Sequence, residues 1–285
     1  MLCREIFSNS RSGSYVSPGD YTAAFWEEVH RFLRYRHGRM QLANGPSNAT
    51  PKDAVRFLMT CPGEQFLDFF EDIFQVNCSF HIAYSPDQAV EDLNALLRRD
   101  DLPYHLTGFV RQTAREVLRS GPFGGEEHEV TRIVELPKVI MRESEAVHSQ
   151  ATKPVLELLR RPEYNSANSE YLAALEDYRK DDFGDCLTKC GSAFESVLKI
   201  ICHCKGWPCD QKDTAGPLVK TFLTHTKLEA YFESMLMTTA VLRNRLSASH
   251  GAGADYKQVS RHIALYALNV TASAILFVTQ EVGKG

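Results

Sequence analysis

The chain has 285 residues, of which 44% are hydrophobic and 24% are charged, and this composition excludes intrinsic disorder as its main state. Its 32 basic and 36 acidic residues give a net charge of −4, which excludes a protein that coats nucleic acid through overall positive charge. Eight cysteines are too few for a secreted disulfide scaffold, and the N-terminus lacks an apolar signal core. We therefore expect a cytoplasmic protein with reduced thiols.

The first hundred residues show helical patterns separated by polar loops. Apolar residues recur at the spacing of one helical face, which predicts four helices, over residues 21–40, 51–60, 63–74 and 87–99. The third is crowded with aromatic residues, and this predicts that it is buried. The first carries a basic face of Arg31, Arg34, Arg36 and Arg39. Two alternatives remain open for this face, a weak RNA-binding surface and an ordinary solvated one.

The middle of the chain changes from helical to strand-like patterns. Strands are predicted over Tyr104–Gln112 and Val130–Arg142, with a glycine-rich turn between them, and this arrangement predicts a hairpin or an edge ribbon. A helix over 143–159 is predicted to link the hairpin to the second half of the chain.

From residue 165 onward the patterns are helical throughout. Five helices are predicted, over residues 169–180, 184–204, 214–224, 228–249 and 256–281. Thr214 is the predicted N-cap of the third of them. Asn269, Thr271 and Ser273 interrupt the last one, so we expect no membrane span.

The predicted fold class is therefore mainly α. Residues 1–160 are expected to form a helical N-terminal domain that carries a small β hairpin. Residues 161–285 are expected to form a C-terminal helical bundle.

The segment Leu242–Gly251 contains the residues best suited to chemistry. On a straight helix Arg243 and His250 lie on one face, about 10.5 Å apart along the axis, with Ser247 between them. Gly251 predicts a helix stop, and the dipole at a helix C-terminus favours a protonated His250. An arginine can hold a phosphate and a histidine can pass protons. The alternative is a surface arginine beside a histidine that caps backbone carbonyls.

Other polar residues have both structural and functional interpretations. Glu195 and Lys199 are spaced i,i+4, which predicts either a surface ion pair or a supporting role in a site. Cys202, His203, Cys204 and Cys209 lack the paired spacing of a zinc knuckle, so we expect free thiols and no metal. No glycine-rich phosphate loop of the Walker or dinucleotide kind is present, and we expect no cofactor.

The C-terminal block resembles the abortive-infection C-terminal domain, a branch of the HEPN superfamily. The residues that carry the resemblance lie at 183–186, 193–199, 206–208, 212–215, 242–246 and 250–253. The last two segments fit the HEPN pattern of an arginine, a polar residue and a histidine, here Arg243, Asn244 and His250. Arg245 to His250 also fits. The resemblance covers about residues 165–282, and the N-terminal half resembles the helical regions attached to such domains in phage-defence proteins.

This resemblance implies a metal-independent endoribonuclease that acts as a homodimer, with the Arg-polar-x5-His motifs of two copies facing one cleft. Arg243 would then stabilise the phosphate, Asn244 would orient the site, and His250 would assist proton transfer. The ribose 2′-hydroxyl would attack the neighbouring phosphate and leave a 2′,3′-cyclic end. Glu195, Lys199, Arg245 and Ser247 would support this site.

The resemblance also leaves other functions open. The expected substrate is RNA, with tRNA as one candidate, and the expected setting is an anti-phage abortive-infection system with a phage-derived trigger. The alternatives are a non-catalytic HEPN module that binds RNA or a partner protein, and the toxin of a toxin–antitoxin pair held by an antitoxin. Loss of cleavage in His250→Ala discriminates the enzyme from the binding module.

Overall fold

The structure is a computed structural model that describes residues 18–43, 50–76, 85–118, 126–144, 147–246 and 259–283. The described chain is mainly helical, as predicted, with two small two-stranded sheets. It divides into two compact units. Unit 1 comprises Met1–Val110 and Val134–Val139, and unit 2 comprises Arg111–Ile133 and Ile140–Gly285.

Unit 1 contains the four helices predicted in the first hundred residues. They are α1 Pro18–His37, α2 Thr50–Thr60, α3 Gly63–Asp72 and α4 Pro86–Arg99. A short 3₁₀ turn, Ile73–Gln75, continues α3. The predicted burial of the aromatic helix is confirmed, since Leu67, Phe69 and Phe70 are each at most 5% exposed. Burial of this apolar surface is the main force that holds the helices together.

Buried acidic residues fasten loops and strands to the helices of unit 1. The Asp53 carboxylate on α2 contacts His30 Nε2 at 2.9 Å and accepts hydrogen bonds from the backbone N–H groups of Leu42 and Ala43. Burial opposes ionisation of Asp53, but these hydrogen bonds outweigh it and lower its pKa. Glu71 on α3 similarly accepts from the N–H of Val139 at 2.8 Å.

The predicted hairpin is confirmed as β2 Val110–Leu118 paired with β3 Glu126–Glu135. The strands differ from their predictions, however, because each predicted strand is broken into two, and β2 and β3 extend beyond the predicted bounds toward the turn. The outer pieces, β1 Tyr104–Leu106 and β4 Val139–Met141, form a sheet of their own. Pro137 has no N–H to donate to a ladder, and the Thr107 hydroxyl accepts a hydrogen bond from the N–H of Lys138 instead.

Unit 2 is a helical bundle built around its central helix, α7. The elements that precede α7 are a π-helical turn at His148–Thr152, α5 Lys153–Leu159, a 3₁₀ turn at Pro162–Tyr164 and α6 Asn165–Arg179. The helices from there on are α7 Phe183–Lys205, α8 Ala215–Thr226, α9 Phe232–Leu236, α10 Thr238–Leu246 and α11 Arg261–Gly283. Helix α7 packs against α6, α8, α10 and α11.

The apolar face predicted for the central helix is confirmed, because Leu187, Phe194, Val197, Leu198 and Ile201 are all buried. The Asp182 carboxylate accepts a hydrogen bond from the N–H of Asp185 and so caps the start of α7. Gly206 ends α7 in a left-handed conformation with φ of 67°, which glycine adopts without steric cost. These caps fix the register of the helix that carries the candidate site.

Two helices differ from their predictions. The helix predicted over 143–159 consists of the π-helical turn followed by the short α5, since Pro154 cannot donate to the carbonyl four residues earlier. The helix predicted over 228–249 is divided between α9 and α10, which meet at Met237. The described part of α10 ends at Leu246.

The structural division of the chain also differs from the predicted boundary after residue 160. Residues 140–160 belong to unit 2, because Ile140, Val155, Leu156 and Leu159 share one hydrophobic core with α6 and α7. The hairpin residues 111–133 are likewise part of unit 2.

Helix α11 is the one described helix that is long and apolar enough to cross a membrane by length and composition. Seven of its residues are buried in unit 2: Ala264, Ala267, Leu268, Thr271, Ala272, Ile275 and Val278. Packing of this kind is typical of the core helix of a bundle.

The start of α11 is tied to two earlier segments by Arg261. Its guanidinium pairs with Glu143 Oε1 at 2.8 Å and with Asp181 Oδ1 at 2.9 Å, and it lies 5.0 Å from the centre of the Tyr178 ring. Hydrogen bonds from Arg261 and Tyr178 hold the pKa of Glu143 below its ordinary value. This cluster is exposed in part, since the Arg261 side chain is 43% accessible.

Candidate active site

One stripe of α7 faces the elements that carry the candidate residues. Gly191, Glu195 and Lys199 are spaced by four residues, so they lie on the same side of the helix. Arg243 on α10 and the first residue of α8 both meet this stripe. Helices α8 and α10 therefore both contact the side of α7 that carries the candidate site.

Arg243 is held by an ion pair that is largely shielded from solvent. Its Nη1 lies 3.0 Å from Glu195 Oε1, and the two side chains are only 17% and 14% exposed. Its Nε donates to Asn244 Oδ1 at 3.3 Å. Within the described part of the chain its third nitrogen, Nη2, makes no hydrogen bond. The guanidinium is thus held at two nitrogens by described residues.

Gly191 gives the Arg243 side chain the space it occupies. A Cβ at position 191 would lie 3.0 Å from Arg243 Cδ and 3.1 Å from Nη1, which is tighter than nine in ten contacts of real Cβ atoms. A glycine inside a helix costs about 1 kcal/mol relative to alanine. Gly191 was missed in the sequence, although a glycine in the interior of a predicted core helix is itself a sign that something approaches the backbone closely.

Glu195 also caps the start of α8. The same oxygen that pairs with Arg243 accepts a hydrogen bond from the N–H of Ala215 at 3.0 Å. Thr214 occupies the N-cap position, as predicted, but its side chain makes no capping hydrogen bond. Because the first N–H groups of a helix need acceptors, Glu195 takes over part of this role from a position twenty residues earlier.

The structure does not contain the ion pair that the i,i+4 spacing suggested. Lys199 Nζ donates to the backbone carbonyl of Gln211 at 2.7 Å, while Glu195 is engaged by Arg243 and Ala215. Each residue has a partner from another segment that satisfies it better than the neighbour on its own helix. Lys199 therefore links the segment before α8 to α7, and Glu195 links the first residue of α8 to α7.

The structure describes two of the four remaining predicted site residues. Asn244 and Arg245 are exposed on α10, and Asn244 contacts Arg243 as described above. Ser247 and His250 lie outside the described residues. The expectation that Arg243 and His250 share one helical face accordingly stays a prediction.

The basic face of α1 is present, but carboxylates and carbonyls already engage several of its cations. Arg31 pairs with Glu28, and Arg36 Nε lies 3.3 Å from the buried carboxylate of Asp72. Arg34 donates to the backbone carbonyl of Arg39 at 3.4 Å. A cation with a fixed acidic partner offers less attraction to a phosphate backbone, which favours the solvated-surface alternative.

The cysteines of α7 and the loop behind it are free thiols. Cys186, Cys190 and Cys202 are buried, and Cys204 and Cys209 are exposed. Burial, with Cys209 as a nearby second cause, raises the pKa of Cys202 to about 11. Among the described residues no three histidine, cysteine or acidic side chains are grouped so that they could hold a metal ion.

Comparison with known proteins gives one finding. Residues 165–282 match the family model Abi_C, described as a HEPN-like domain. No curated protein and no solved structure matches the chain. The matched residues begin at the first residue of α6 and end near the last turn of α11, so they include every side chain of the candidate site.

Proposed function

We propose that this chain, whose C-terminal part is a HEPN-like domain of the Abi_C family, is a metal-independent endoribonuclease of an abortive-infection system. The observation that carries the proposal is the state of Arg243. Its guanidinium is fixed by Glu195 and Asn244, and no residue in the described part of the chain accepts from Nη2. A planar cation with one free donor suits a phosphate oxygen.

The proposed reaction transfers a phosphoryl group from one oxygen of the RNA to another. The 2′-oxygen of a ribose attacks the adjacent phosphorus, a bond from this oxygen to phosphorus forms, and the bond to the 5′-oxygen of the next nucleotide breaks. The 2′-hydroxyl loses a proton and the departing 5′-oxygen gains one. The products are a 2′,3′-cyclic phosphate and a 5′-hydroxyl, so no water or metal ion is consumed.

The residues have separate parts in this proposal. Arg243 binds a non-bridging phosphate oxygen and stabilises the charge that grows there in the transition state. His250 carries one of the two protons, because histidine exchanges protons near neutral pH. Asn244 orients the guanidinium through Nε. A second copy of the chain would complete the cleft, since HEPN-type motifs are expected to act in pairs.

The first experiment compares cleavage of total RNA and of tRNA in EDTA by the wild type, Arg243→Ala and His250→Ala. We expect the wild type to leave cyclic-phosphate ends. Each variant should be slower by about a hundredfold or more, because an oxyanion donor or a general acid–base contributes roughly that much. Arg98→Ala, which removes an exposed arginine from α4, should cut at the wild-type rate.

Two results contradict this assignment. Equal cleavage by all four proteins excludes Arg243 and His250 as the catalytic residues. Binding of RNA by the wild type without any product favours the non-catalytic HEPN module. An antitoxin or a phage-derived trigger belongs to the same proposal, and addition of a phage lysate to the assay is the direct way to look for activation.

A further inference from the structure

The ion pair between Glu195 and Arg243 is unusual in what else it touches. Glu195 Oε1 receives two donors, Arg243 Nη1 at 3.0 Å and the N–H of Ala215 at 3.0 Å. The carboxylate that pairs with the guanidinium is therefore also held by the first turn of α8. A carboxylate with its own fixed anchor restrains its partner more tightly than one on a freely rotating side chain.

The opposite side of the guanidinium is restrained by the backbone of α7. Gly191 leaves only enough room for Arg243 Cδ and Nη1, since a Cβ there would lie 3.0 and 3.1 Å from these atoms. The side chain cannot move toward α7, and the ion pair with Glu195 keeps it from turning out into solvent. These two contacts hold the guanidinium from two sides, at Nη1 by Glu195 and at Cδ and Nη1 by the backbone of α7.

We propose that Glu195 and Gly191 are positioning residues that set the orientation of Arg243 for the RNA phosphate. This inference rests on the proposed function, because it assigns a role in that same site. Neither residue touches the substrate. They act through Arg243 alone, by fixing which of its nitrogens remains available. A donor placed in advance loses less conformational entropy when the transition state forms.

The variants separate this role from simple stability. Glu195→Gln keeps the size of the side chain and an oxygen for the N–H of Ala215, and removes only the charge that holds Arg243. Gly191→Ala keeps the helix and pushes Arg243 out of its slot. Glu157→Gln removes the acid of an exposed ion pair on α5, 4.0 Å from Lys153, and is the matched control.

The first measurement does not depend on activity. In a ¹⁵N-labelled wild-type protein, one arginine Nε–H signal should exchange slowly with water and disappear in Arg243→Lys. We expect its exchange to become at least fivefold faster in Glu195→Gln and Gly191→Ala, and to be unchanged in Glu157→Gln. Unchanged exchange in Glu195→Gln overturns the proposal, whatever the RNA assay shows.

The second measurement is single-turnover cleavage at saturating RNA. Glu195→Gln and Gly191→Ala should each be about tenfold or more slower, with RNA affinity changed less than threefold. In an Arg243→Ala background, Glu195→Gln should cause no further loss, because its effect passes through Arg243. An additional tenfold loss in that background overturns the positioning role. A wild type that cuts no RNA, with the slow Nε–H signal intact, refutes the proposed function and not the geometry.

Discussion

The two units bury their charges in different ways. In unit 1 the buried acids Asp53 and Glu71 accept hydrogen bonds from backbone N–H groups and contact the side chains of His30 and Lys138 respectively, so their oxygens serve to hold a loop or a strand in place. In unit 2 Glu195 also accepts a backbone N–H, but its cation, Arg243, keeps a donor that no described residue uses. The buried acids of unit 1 have partners within the fold and serve its stability, whereas the pair in unit 2 is the one for which we propose a ligand.

The contrast between the two units is contradicted most clearly if a substitution of Asp53 impairs RNA cleavage rather than the stability of the fold. Asp53→Ala leaves His30 and the N–H groups of Leu42 and Ala43 without their buried acceptor. We expect it to lower the free energy of unfolding by about 2 to 5 kcal/mol, because each buried donor left without an acceptor costs roughly 1 to 3 kcal/mol. Urea denaturation measures this loss.

The matched control is Asp100→Ala, which removes an exposed partner of Arg99 and should change stability by less than about 0.5 kcal/mol. If Asp53→Ala is as stable as the control, the buried acids of unit 1 are not structural. If the folded fraction of Asp53→Ala has also lost RNA cleavage, the contrast between the units fails.

A smaller effect is expected from the cluster around Arg261, which is structural and yet partly exposed. Arg261→Ala removes two ion pairs and the contact with the Tyr178 ring. We expect a loss of about 1 to 2 kcal/mol in the free energy of unfolding, because solvent screens these contacts. Lys153→Ala, from an exposed pair in the same unit, should lose almost nothing. If Arg261→Ala loses as much free energy of unfolding as Asp53→Ala, solvent exposure does not determine how much these polar contacts stabilise the fold.

The smallest expected effect is a dependence on pH. Burial, with the carboxylates of Asp182 and Asp185 as further causes, raises the pKa of Asp177 from 3.8 to about 6. A raised pKa means that the folded protein binds a proton more tightly than the unfolded chain. Stability from this group is therefore gained as the pH falls from about 6 towards 4, and is absent at pH 7 and above.

This contribution should stay under about 1 kcal/mol, since the carboxyl is partly exposed and water screens it. Asp177→Asn should be more stable than the wild type at pH 7.5, and the difference should shrink at pH 5. Melting temperatures of the two proteins at both pH values test this. A difference that is constant with pH would mean that Asp177 titrates in its ordinary range.

The parts of the fold that follow from local pattern were predictable. The core face of α7 was identified because its apolar residues recur at helical spacing, and Arg243 was identified because a basic residue and a histidine stand near a glycine stop. The breaks within the predicted strands and at Met237 were not predictable in this way. They depend on contacts such as that between Thr107 and Lys138, which lie thirty-one residues apart.

The contacts within the candidate site also could not be predicted from local sequence patterns. The i,i+4 spacing of Glu195 and Lys199 suggested that they pair with each other, and each instead contacts a segment that follows α7. The role of Gly191 depends on the side chain of Arg243, fifty-two positions later. A local sequence pattern cannot show a contact between such distant positions, so Arg243 could be proposed from the sequence while its close approach to Gly191 could not.

The slot at Gly191 also constrains how this sequence can change through evolution. A Cβ at position 191 would lie 3.0 Å from Arg243 Cδ, so an alanine there requires the arginine side chain to shift by a few tenths of an ångström or to be replaced. A descendant that has lost the arginine can gain an alanine in α7 without that shift, together with about 1 kcal/mol of helix stability. The cost of each of these two changes therefore depends on which of them comes first.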